Sequence, residues 1–449
     1  MQFELTKEFL EQIENAIEAQ DRTFLVDSLL DLHVADLNLI LTELDSKQSK
    51  FIFDILESEK SAEIIAELDS DIRRKFLKTF TSKEVADLLP HLDSDDAADI
   101  LNEQNLKARE EVLSLVEDSQ VVEHLHELLR YEEDCAGGMM AKELVKADAN
   151  WTVGQCIEEI KRQAENVDKL YSIYVVNDKD KLLGRVSLKK IVLAPSHTKI
   201  ADLYEEDLIM VDVFMADFEV AQIMTKYDLD AVPVVNLQTK LVGRITIDDI
   251  LDVITEQAET ERNLMAGISE NVGHSDSIWD LTRARLPWLL IGVLGGLLSA
   301  MLLGVFEGPL QELTAVAFFI PLITATGGNV GIQSSSIVVQ SLANKSAFDE
   351  DVSTQLFKSF VVSLLNGVSI FILVILFVYA YKQDTNLSIV VGIAIFTVVI
   401  ISSMMGTITP LILEKFDINP AIASGPFITT ANDIIGIAIY FSIVKMFII

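Results

Sequence analysis

The sequence predicts a multidomain membrane protein. We expect an all-α N-terminal superhelical domain, then an α+β domain built from a tandem repeat, then an α-helical membrane domain of five spans. Three observations predict this order: charge is divided unevenly along the chain, two different internal repeats occupy its N-terminal part, and five long apolar stretches follow them.

The charge distribution separates the chain into two regions. The 449 residues include 35 basic and 69 acidic side chains, a net charge of −34, yet the mean hydropathy is +0.34. From Leu286 onward there are five Lys or Arg and nine Asp or Glu, which leaves 30 basic and 60 acidic side chains in residues 1–285. An acidic, water-soluble region is therefore joined to an almost uncharged apolar one, and such acidity favours cations over nucleic acid as partners.

Residues 1–130 carry the first repeat. Apolar residues three and four apart predict short helices, and the tripeptide Leu-Asp-Ser recurs every 24 residues, beginning at Leu44, Leu68 and Leu92. Asp or Ser after one helix is a typical N-cap for the next. Each unit is therefore a helix pair, and the repeat predicts a small acidic superhelix that acts as a scaffold.

The second repeat has a different texture. Short β-branched runs alternate with amphipathic helices, and matching segments lie 59 residues apart: YVVN from Tyr174 matches PVVN from Pro233, and LGRVS from Leu183 matches VGRIT from Val242. Two tandem βαββα-like units are predicted. Cys135 and Cys156 lie in this region without metal-finger spacing, so we expect free thiols in a reducing cytosol.

Five stretches are long and apolar enough to cross a bilayer. They cover about 286–306, 314–343, 359–381, 387–413 and 423–449. The polar, acidic beginning of the chain predicts no cleavable signal peptide. Basic residues flank the expected cytosolic ends (Arg283, Arg285, Lys345, Lys358 and Lys415), which predicts a cytosolic N-terminus and an external C-terminus.

Two of these stretches contain polar interruptions. Span two reads PLITATGGNVGIQSSS from Pro321, and span five reads SGPFITTANDIIG from Ser424. Asp433 is the one carboxylate well inside a span, and an ionisable group at that depth usually lines a pathway. Together with Thr429, Asn432 and Asn329 it offers hard oxygen ligands, which suit Mg²⁺ or Ca²⁺. A single carboxylate per chain favours a largely hydrated ion and hence Mg²⁺, which loses water reluctantly.

Acidic residues also crowd the boundary before the membrane domain. On a helix, Asp248, Asp252, Glu256 and Glu259 form one stripe, with Asp249 beside it. A solvated helix face is the ordinary interpretation of such a run. Because the neighbouring domains are acidic as well, we instead consider a cation-dependent domain arrangement, in which this stripe faces Asp93, Asp95 and Asp96.

With these residues in view, the chain resembles the MgtE family of bacterial magnesium channels and transporters over essentially its full length. The segments LLRYEEDCAGGMM from Leu128, RLPWLL from Arg285 and both interrupted spans are similar to the family's motifs. The 59-residue repeat resembles a pair of CBS modules. The domains would be 1–130, an N-terminal superhelix; 131–262, tandem CBS modules; 263–285, a connecting or plug helix; and 286–449, the pore domain.

The resemblance implies a homodimer in the bacterial cytoplasmic membrane that conducts Mg²⁺ and closes when cytosolic Mg²⁺ bridges its acidic domains. Asp433 would bind the hydrated ion, Thr429 would offer a backbone oxygen, and a Gly327-Gly328-Asn329 turn would shape the pore. CBS pairs can bind ATP, and Thr246 with Asp249 matches the ribose-contacting T-x-x-D pattern. Arg262 stands where an acid is expected, which puts one regulatory site in doubt.

Other functions remain open from the residues. Transport of Mn²⁺ or Co²⁺, or CBS-regulated export, would fit the same domains, although a lone acid in the pathway disfavours anions. A membrane-tethered nucleotide sensor would leave Asp433 unexplained. We expect no enzyme activity, because an intramembrane aspartyl protease needs a second carboxylate within the spans.

Overall fold

The structure is a computed structural model that describes residues 3–163, 170, 172–269, 272, 277–306, 314–343, 352–416 and 418–447. Its residues fall into two compact units, Met1–Ile254 and Thr255–Ile449, which are described separately. Lys345, one of the basic residues used above to predict the orientation, lies outside the described residues.

Ten short helices form the N-terminal domain, as the first repeat predicts. They are α1 Lys7–Glu18, α2 Arg22–Leu29, α3 Val34–Glu43, α4 Ser46–Phe53, α5 Ser58–Ala66, α6 Ser70–Leu77, α7 Ser82–Leu88, α8 Ser94–Asn102, α9 Leu106–Leu115 and α10 Ser119–Leu128. The helices α3, α5 and α7 begin 24 residues apart, and so do α4, α6 and α8. Equivalent apolar residues of each pair are buried, such as Ile40, Ile64 and Leu88, so the superhelical prediction is confirmed.

Capping side chains set where these helices begin. Asp45 caps α4, and the Gln48 side chain returns a bond to its backbone; Thr81 and Glu84 form the same reciprocal pair at α7. Each pair satisfies two amide groups that have no partner inside the helix.

The second repeat folds as two βαββα units. The first contains β1 Val145–Asp148, α11 Val153–Gln163, β2 Ile173–Val176, β3 Leu182–Val186 and α12 Leu188–Leu193; the second contains β4 Val211–Asp212, α13 Asp217–Tyr227, β5 Ala231–Val235, β6 Leu241–Thr246 and α14 Ile247–Ala266. Each sheet joins one parallel and one antiparallel pair. Even the register repeats, since Tyr174 pairs with Arg185 and Pro233 with Arg244, both shifted by 59 residues.

The segment before β1 pairs with the second unit. The amides of Ala136 and Gly137 donate to the carbonyls of Met215 and Val213 at 2.8 Å each, and Ala141 pairs with Arg244 in an antiparallel bridge. The second unit and the helical domain thus share one continuous core, whereas the first unit has a core of its own.

Five of the described helices are long and apolar enough to cross a membrane, which confirms the predicted five spans. The membrane domain contains α15 Ile278–Val305, a short α16 Thr314–Ala317, α17 Ile320–Ala343, α18 Val352–Lys382, α19 Thr385–Lys415 and α20 Pro426–Phe447. A 3₁₀ turn, Pro420–Ala423, precedes α20. The core lies among α17, α18, α19 and α20, and α19 is the most buried of the five.

Hydroxyl groups in these helices bond mostly to their own helix. Ser369, Thr397, Thr409 and Ser442 each donate to the carbonyl four residues earlier, at 2.7–2.9 Å. This local bond satisfies a polar group that would otherwise be costly inside a bilayer.

The connection before the membrane domain differs from the single helix expected over 263–285. Helix α14 ends at Ala266, where Gly267 takes a left-handed conformation with φ of +76°. The amide of Gly267 bonds to the Leu264 carbonyl and that of Ile268 to the Asn263 carbonyl, a pattern that terminates helices at glycine. The remaining part of the segment contains the first turns of α15.

Candidate functional site

Asp433 lies in the middle of α20 and is half-buried within a single chain. Within the described residues its carboxylate accepts no hydrogen bond and pairs with no cation. A carboxylate Oδ1 would lie 4.0 Å from a Cβ added at Gly328, so α17 closely approaches this side of α20. The side chain is therefore available to a solute that passes along this face.

Thr429 lies one turn before Asp433 on the same helix. Its hydroxyl donates to the Gly425 carbonyl at 2.9 Å, which uses its proton and leaves the oxygen lone pairs open. Its own carbonyl belongs to the helix ladder but keeps a second lone pair for a water or ion. Both oxygens of Thr429 can therefore accept from a water or meet an ion, and the role of Thr429 stays a prediction.

Helix α17 is continuous from Ile320 to Ala343, so the expected Gly327-Gly328-Asn329 turn is not observed. Both glycines are buried and helical. A Cβ at Gly327 would lie 3.1 Å from Val398, and one at Gly328 3.1 Å from Thr429. These glycines allow close packing of helices, which is a different use of glycine in a membrane from breaking a helix.

The exposed face of α17 is polar at membrane depth. Asn329 is exposed, and so is Gln333 one turn later. Gln333 was missed as a site residue, although its spacing of four from Asn329 places both on one helix face. Such amides require water or another protein surface in a bilayer.

Asn432 lies elsewhere. It is fully buried between α20 and α17, where a Cβ at Gly331 would lie 1.9 Å from its Nδ2. Neither Nδ2 nor Oδ1 has a hydrogen-bond partner among the described residues. Since consecutive helical residues are about 100° apart, Asn432 does not share the face of Asp433, and the structure does not place it as an ion ligand.

A second candidate site is an acidic cleft of about 1290 Å³ between the helical domain and the βαββα units. Fifteen carboxylate residues and three Lys or Arg line it, including the predicted Asp93, Asp96, Asp248, Asp249 and Asp252. A cleft of this composition concentrates cations.

The cleft wall is built across the two domains. Helix α8 begins after Asp93, whose side chain makes no cap bond. Instead Glu143 accepts from the amide and hydroxyl of Ser94 at 3.1 and 2.8 Å, and the Lys142 amide donates to that hydroxyl at 2.7 Å. The acids at the start of α8 are therefore held against the second repeat.

Crowding of these acids changes their proton affinity. Burial, and after it the charges of Asp96 and Asp249, raise the pKa of Asp95 well above its ordinary value. Burial and the charge of Asp249 also raise the pKa of Asp96 to about 7, although part of that side chain still reaches solvent. Burial, and after it the neighbouring carboxylates, therefore favour the protonated form of both acids.

Two arginines outside the cleft lining lie close to its acids: Arg244 is near Asp93, and the charge of Arg73 acts on Asp96. Arg73 donates through Nε and Nη2 to Glu103 at 3.0 and 2.8 Å, and the side chains are only 10% and 6% exposed. Arg244 lies 4.0 Å from Asp93. Among the described residues no three His, Cys, Asp or Glu side chains converge as a ready-made metal site, so the regulatory sites stay a prediction.

The C-terminal half of the acidic stripe is exposed. Glu256 and Glu259 both face solvent on α14, and Arg262 lies 3.4 Å from the Glu259 carboxylate. Arg262, which stands where an acid was expected, therefore lies beside the acidic stripe and partly neutralises its C-terminal end.

The candidate nucleotide residues contact one another. Thr246 donates through its amide and hydroxyl to Asp249 at 3.0 and 2.7 Å, which caps α14. Asp249 thus bonds to the residue that precedes α14, lines the acidic cleft and completes the T-x-x-D pattern.

The raised pKa of Asp96 predicts a pH dependence. In the folded protein its pKa of about 7 exceeds the ordinary value, so the folded state binds the proton more tightly and loses stability as pH rises towards 7. Facing groups are Asp93, Asp95, Asp99, Asp249 and Arg73. We expect the melting midpoint of the unit Met1–Ile254, measured on the full chain with chelator, to fall between pH 5.5 and 7.5.

Two comparisons complete this experiment. Saturating Mg²⁺ should reduce the fall of the melting midpoint with pH, because the bound cation offsets the negative charge that the proton neutralises at lower pH. Asp96→Asn should flatten it in chelator, which separates this carboxylate from other titrating groups. A midpoint that rises with pH would contradict the assignment.

Comparisons with known proteins match these regions in the same order. Residues 320–443 match the MgtE family described as a divalent cation transporter, 32–134 match its intracellular N domain, and 136–197 and 200–256 match CBS domains. The chain is 32% identical over 441 residues to the magnesium transporter MgtE of Thermus thermophilus, covering 97% of each chain. It is 34% identical over 330 residues to that of Enterococcus faecalis, covering 73% of this chain and 72% of the other.

Two solved structures resemble the N-terminal part. One is the soluble part of a magnesium transporter, 30% identical with a TM-score of 0.51, covering 56% of this chain and 99% of the other. The second is the cytosolic domain of the Mg²⁺ channel MgtE in complex with ATP, 30% identical with a TM-score of 0.51, covering 54% of this chain and 99% of the other.

Proposed function

This chain belongs to the MgtE family of divalent cation transporters, and from that premise we propose that it moves Mg²⁺ across the bacterial cytoplasmic membrane. The observation that carries the proposal is Asp433, a carboxylate in the middle of a membrane-spanning helix that pairs with no cation among the residues that the structure describes. A carboxylate there is costly unless it meets a cation or water.

Transport is tested directly with the purified chain in lipid vesicles that contain a Mg²⁺-sensitive dye. We expect Mg²⁺ to flow from the outside of the vesicles to the inside. Mn²⁺ or Co²⁺ should enter more slowly, and the ratio of the entry rates measures selectivity. Vesicles that show no more Mg²⁺ entry than protein-free vesicles would remove the proposal.

We propose that the transporting unit is a homodimer. Asp433 is half-buried in one chain, and Asn329 and Gln333 are exposed on α17. Lipid cannot hydrate these groups, whereas a second copy facing them would enclose a water-filled path. With basic flanks such as Lys358 and Lys415 on the cytosolic side, the N-terminus would be cytosolic and the C-terminus external.

We further propose that cytosolic Mg²⁺ regulates this path through the acidic cleft. Screening of Asp248, Asp249 and Asp252 against the α8 acids would allow compact packing at high Mg²⁺, and repulsion at low Mg²⁺ would oppose it. Several weak sites can together bias a gate, because each stabilises the bound state by RT ln(1 + [L]/Kd). ATP binding at Thr246 and Asp249 would compete with this role, since Asp249 serves both.

Regulation has its own test. Proteolysis within 255–285 should slow as Mg²⁺ rises through the millimolar range, and Asp248→Asn with Asp252→Asn should weaken that protection about tenfold in Mg²⁺ concentration and leave flux active at higher Mg²⁺. The matched control is Glu11→Gln with Glu18→Gln, which removes the same charge from exposed positions of α1.

Two outcomes would exclude a sensor in the cleft. One is equal protection in both double variants. The other is equal protection by monovalent salt at matched ionic strength, which would identify general screening.

A further inference from the structure

The polar side chains around Asp433 are each placed against a glycine of a neighbouring helix. A Cβ added at Gly295 of α15 would lie 1.8 Å from Cγ2 of Thr430, and one at Gly331 of α17 would lie 1.9 Å from Nδ2 of Asn432. At these distances an added methyl group would displace the side chain that faces the glycine. We call Gly295 and Gly331 the two glycine seats.

The seats lie on opposite sides of α20. Thr430 and Asn432 are two residues apart, hence about 200° apart around the helix axis. One packs on α15 and the other on α17, so rotation of α20 in either direction would drive one of these side chains out of its seat. Two opposed contacts therefore fix the rotation of the helix, which one contact would not.

The rotation of α20 determines where Asp433 points. Asp433 follows Asn432 directly, about 100° further around the helix. Its carboxylate makes no bond of its own with the described residues that could hold its direction. The packing of its neighbours is therefore the means by which the chain aims it.

The burial of Gly295 and Asn432 supports a role of these residues in holding α20 in place. Gly295 is one of two buried residues of α15, a helix whose leucines are otherwise largely exposed. Asn432 is fully buried although its amide has no partner in the described part of the chain. This amide fills the space beside Gly331, which holds it in place by contact.

We infer that Gly295 and Gly331 are positioning residues for ion passage: they receive Thr430 and Asn432 and so hold the Asp433 carboxylate towards the path. This inference rests on the proposed Mg²⁺ transport. It assigns Thr430 and Asn432 a packing role and leaves ion contact to Asp433.

The test uses the full chain in vesicles, with flux normalised to folded protein. Gly295→Ala should raise the half-saturating Mg²⁺ concentration about tenfold, because a displacement of about 1 Å at a reacting group has effects of that order or larger. Gly292→Ala and Gly296→Ala are matched controls on the same helix, where an added Cβ meets nothing within 4 Å. Both controls should transport as the wild type does.

Rescue separates positioning from general damage. Thr430→Ser removes the Cγ2 atom that meets the new methyl group, so the combination of Gly295→Ala with Thr430→Ser should recover at least half of the lost affinity for Mg²⁺. Gly295→Ala within twofold of Gly296→Ala, or no recovery in the double variant, would overturn the inference. Absence of wild-type flux would instead overturn the proposed function.

A second variant decides the matter if Gly295→Ala does not fold. Thr430→Val keeps the methyl group in the seat and replaces the hydroxyl, so it should transport as the wild type does. Thr430→Ala empties the seat and should raise the half-saturating concentration about threefold, a smaller change than misplacement by a clash. Loss of transport in Thr430→Val would show that the hydroxyl binds the ion and would overturn the packing role.

Discussion

Replacing Asp433 by Asn is expected to reduce Mg²⁺ flux about a hundredfold or more while the protein remains folded. The carboxylate is the one acid well inside the five spans, since Asp280 and Glu414 lie at helix ends, so no neighbouring acid of the same depth can substitute for it. Losing about 3 kcal/mol of attraction between an ion and a partly desolvated carboxylate corresponds to about two orders of magnitude in rate. Dye-reported flux in vesicles, normalised to folded protein, measures the effect.

Ser442→Ala is the matched control on the same helix. Ser442 is exposed and donates to the Ala438 carbonyl at 2.7 Å, so its loss removes a polar group of α20 without touching the Asp433 face. Flux should stay at the wild-type level. If Asp433→Asn transports as well as this control, the ion does not depend on Asp433.

Replacing Arg73 by Met should strongly destabilise the unit Met1–Ile254. It would leave the Glu103 carboxylate buried without its cation, and breaking such a pair costs about 3–5 kcal/mol. It would also remove positive charge beside Asp96. The urea midpoint for unfolding of this unit, followed by pulse proteolysis of the full chain, should fall by about 1 M or more.

Two comparisons test whether the loss of stability comes from breaking the buried pair of Arg73 and Glu103. Arg162→Met breaks a pair with Glu159 in which the arginine is 76% exposed, and its midpoint should hardly move. Arg73→Met with Glu103→Met should recover most of the loss, because the unpaired buried charge is gone. A midpoint for Arg73→Met equal to that of Arg162→Met would show that the buried pair does not stabilise the fold.

The repeats explain why so much of the fold could be predicted. Leu44, Leu68 and Leu92 recur because each helix pair must bury the same face, and the 59-residue match reappears in the sheets as equivalent register pairs. The membrane spans follow from length and hydropathy. In each case the signal is local and repeats along the sequence.

The structure differs from the sequence-based predictions where a glycine, or a residue distant in the sequence, determines the local conformation. Gly327 and Gly328 suggest a turn, yet they lie in a continuous helix because neighbouring side chains need their space. Gly267 ends α14 through a conformation that hydrophobic periodicity does not report. Glu143 caps a helix that begins 49 residues earlier, a contact without any sequence spacing to indicate it.

Some residues of the candidate site could be predicted from the sequence and others could not, because the others depend on contacts between distant parts of the chain. Asp433 stands out because a charge in an apolar run is rare, whereas the orientation of Asn432 depends on which helix packs beside it. The cleft acids were recognised by their density. Their basic counterparts, Arg73 and Arg244, come from elsewhere in the sequence and became evident only through contacts.

The hydroxyls that bond within their own helices have a consequence for biogenesis. Because Ser369, Thr397, Thr409 and Ser442 are satisfied before any two helices meet, these hydroxyls do not require a partner helix when α18, α19 and α20 enter lipid, whereas the exposed amides of α17 do. For these three helices, assembly then becomes a separate, later step that depends on shape. A newly made chain could therefore have them inserted and still unassembled, and cells would have to judge its quality by packing and not by insertion.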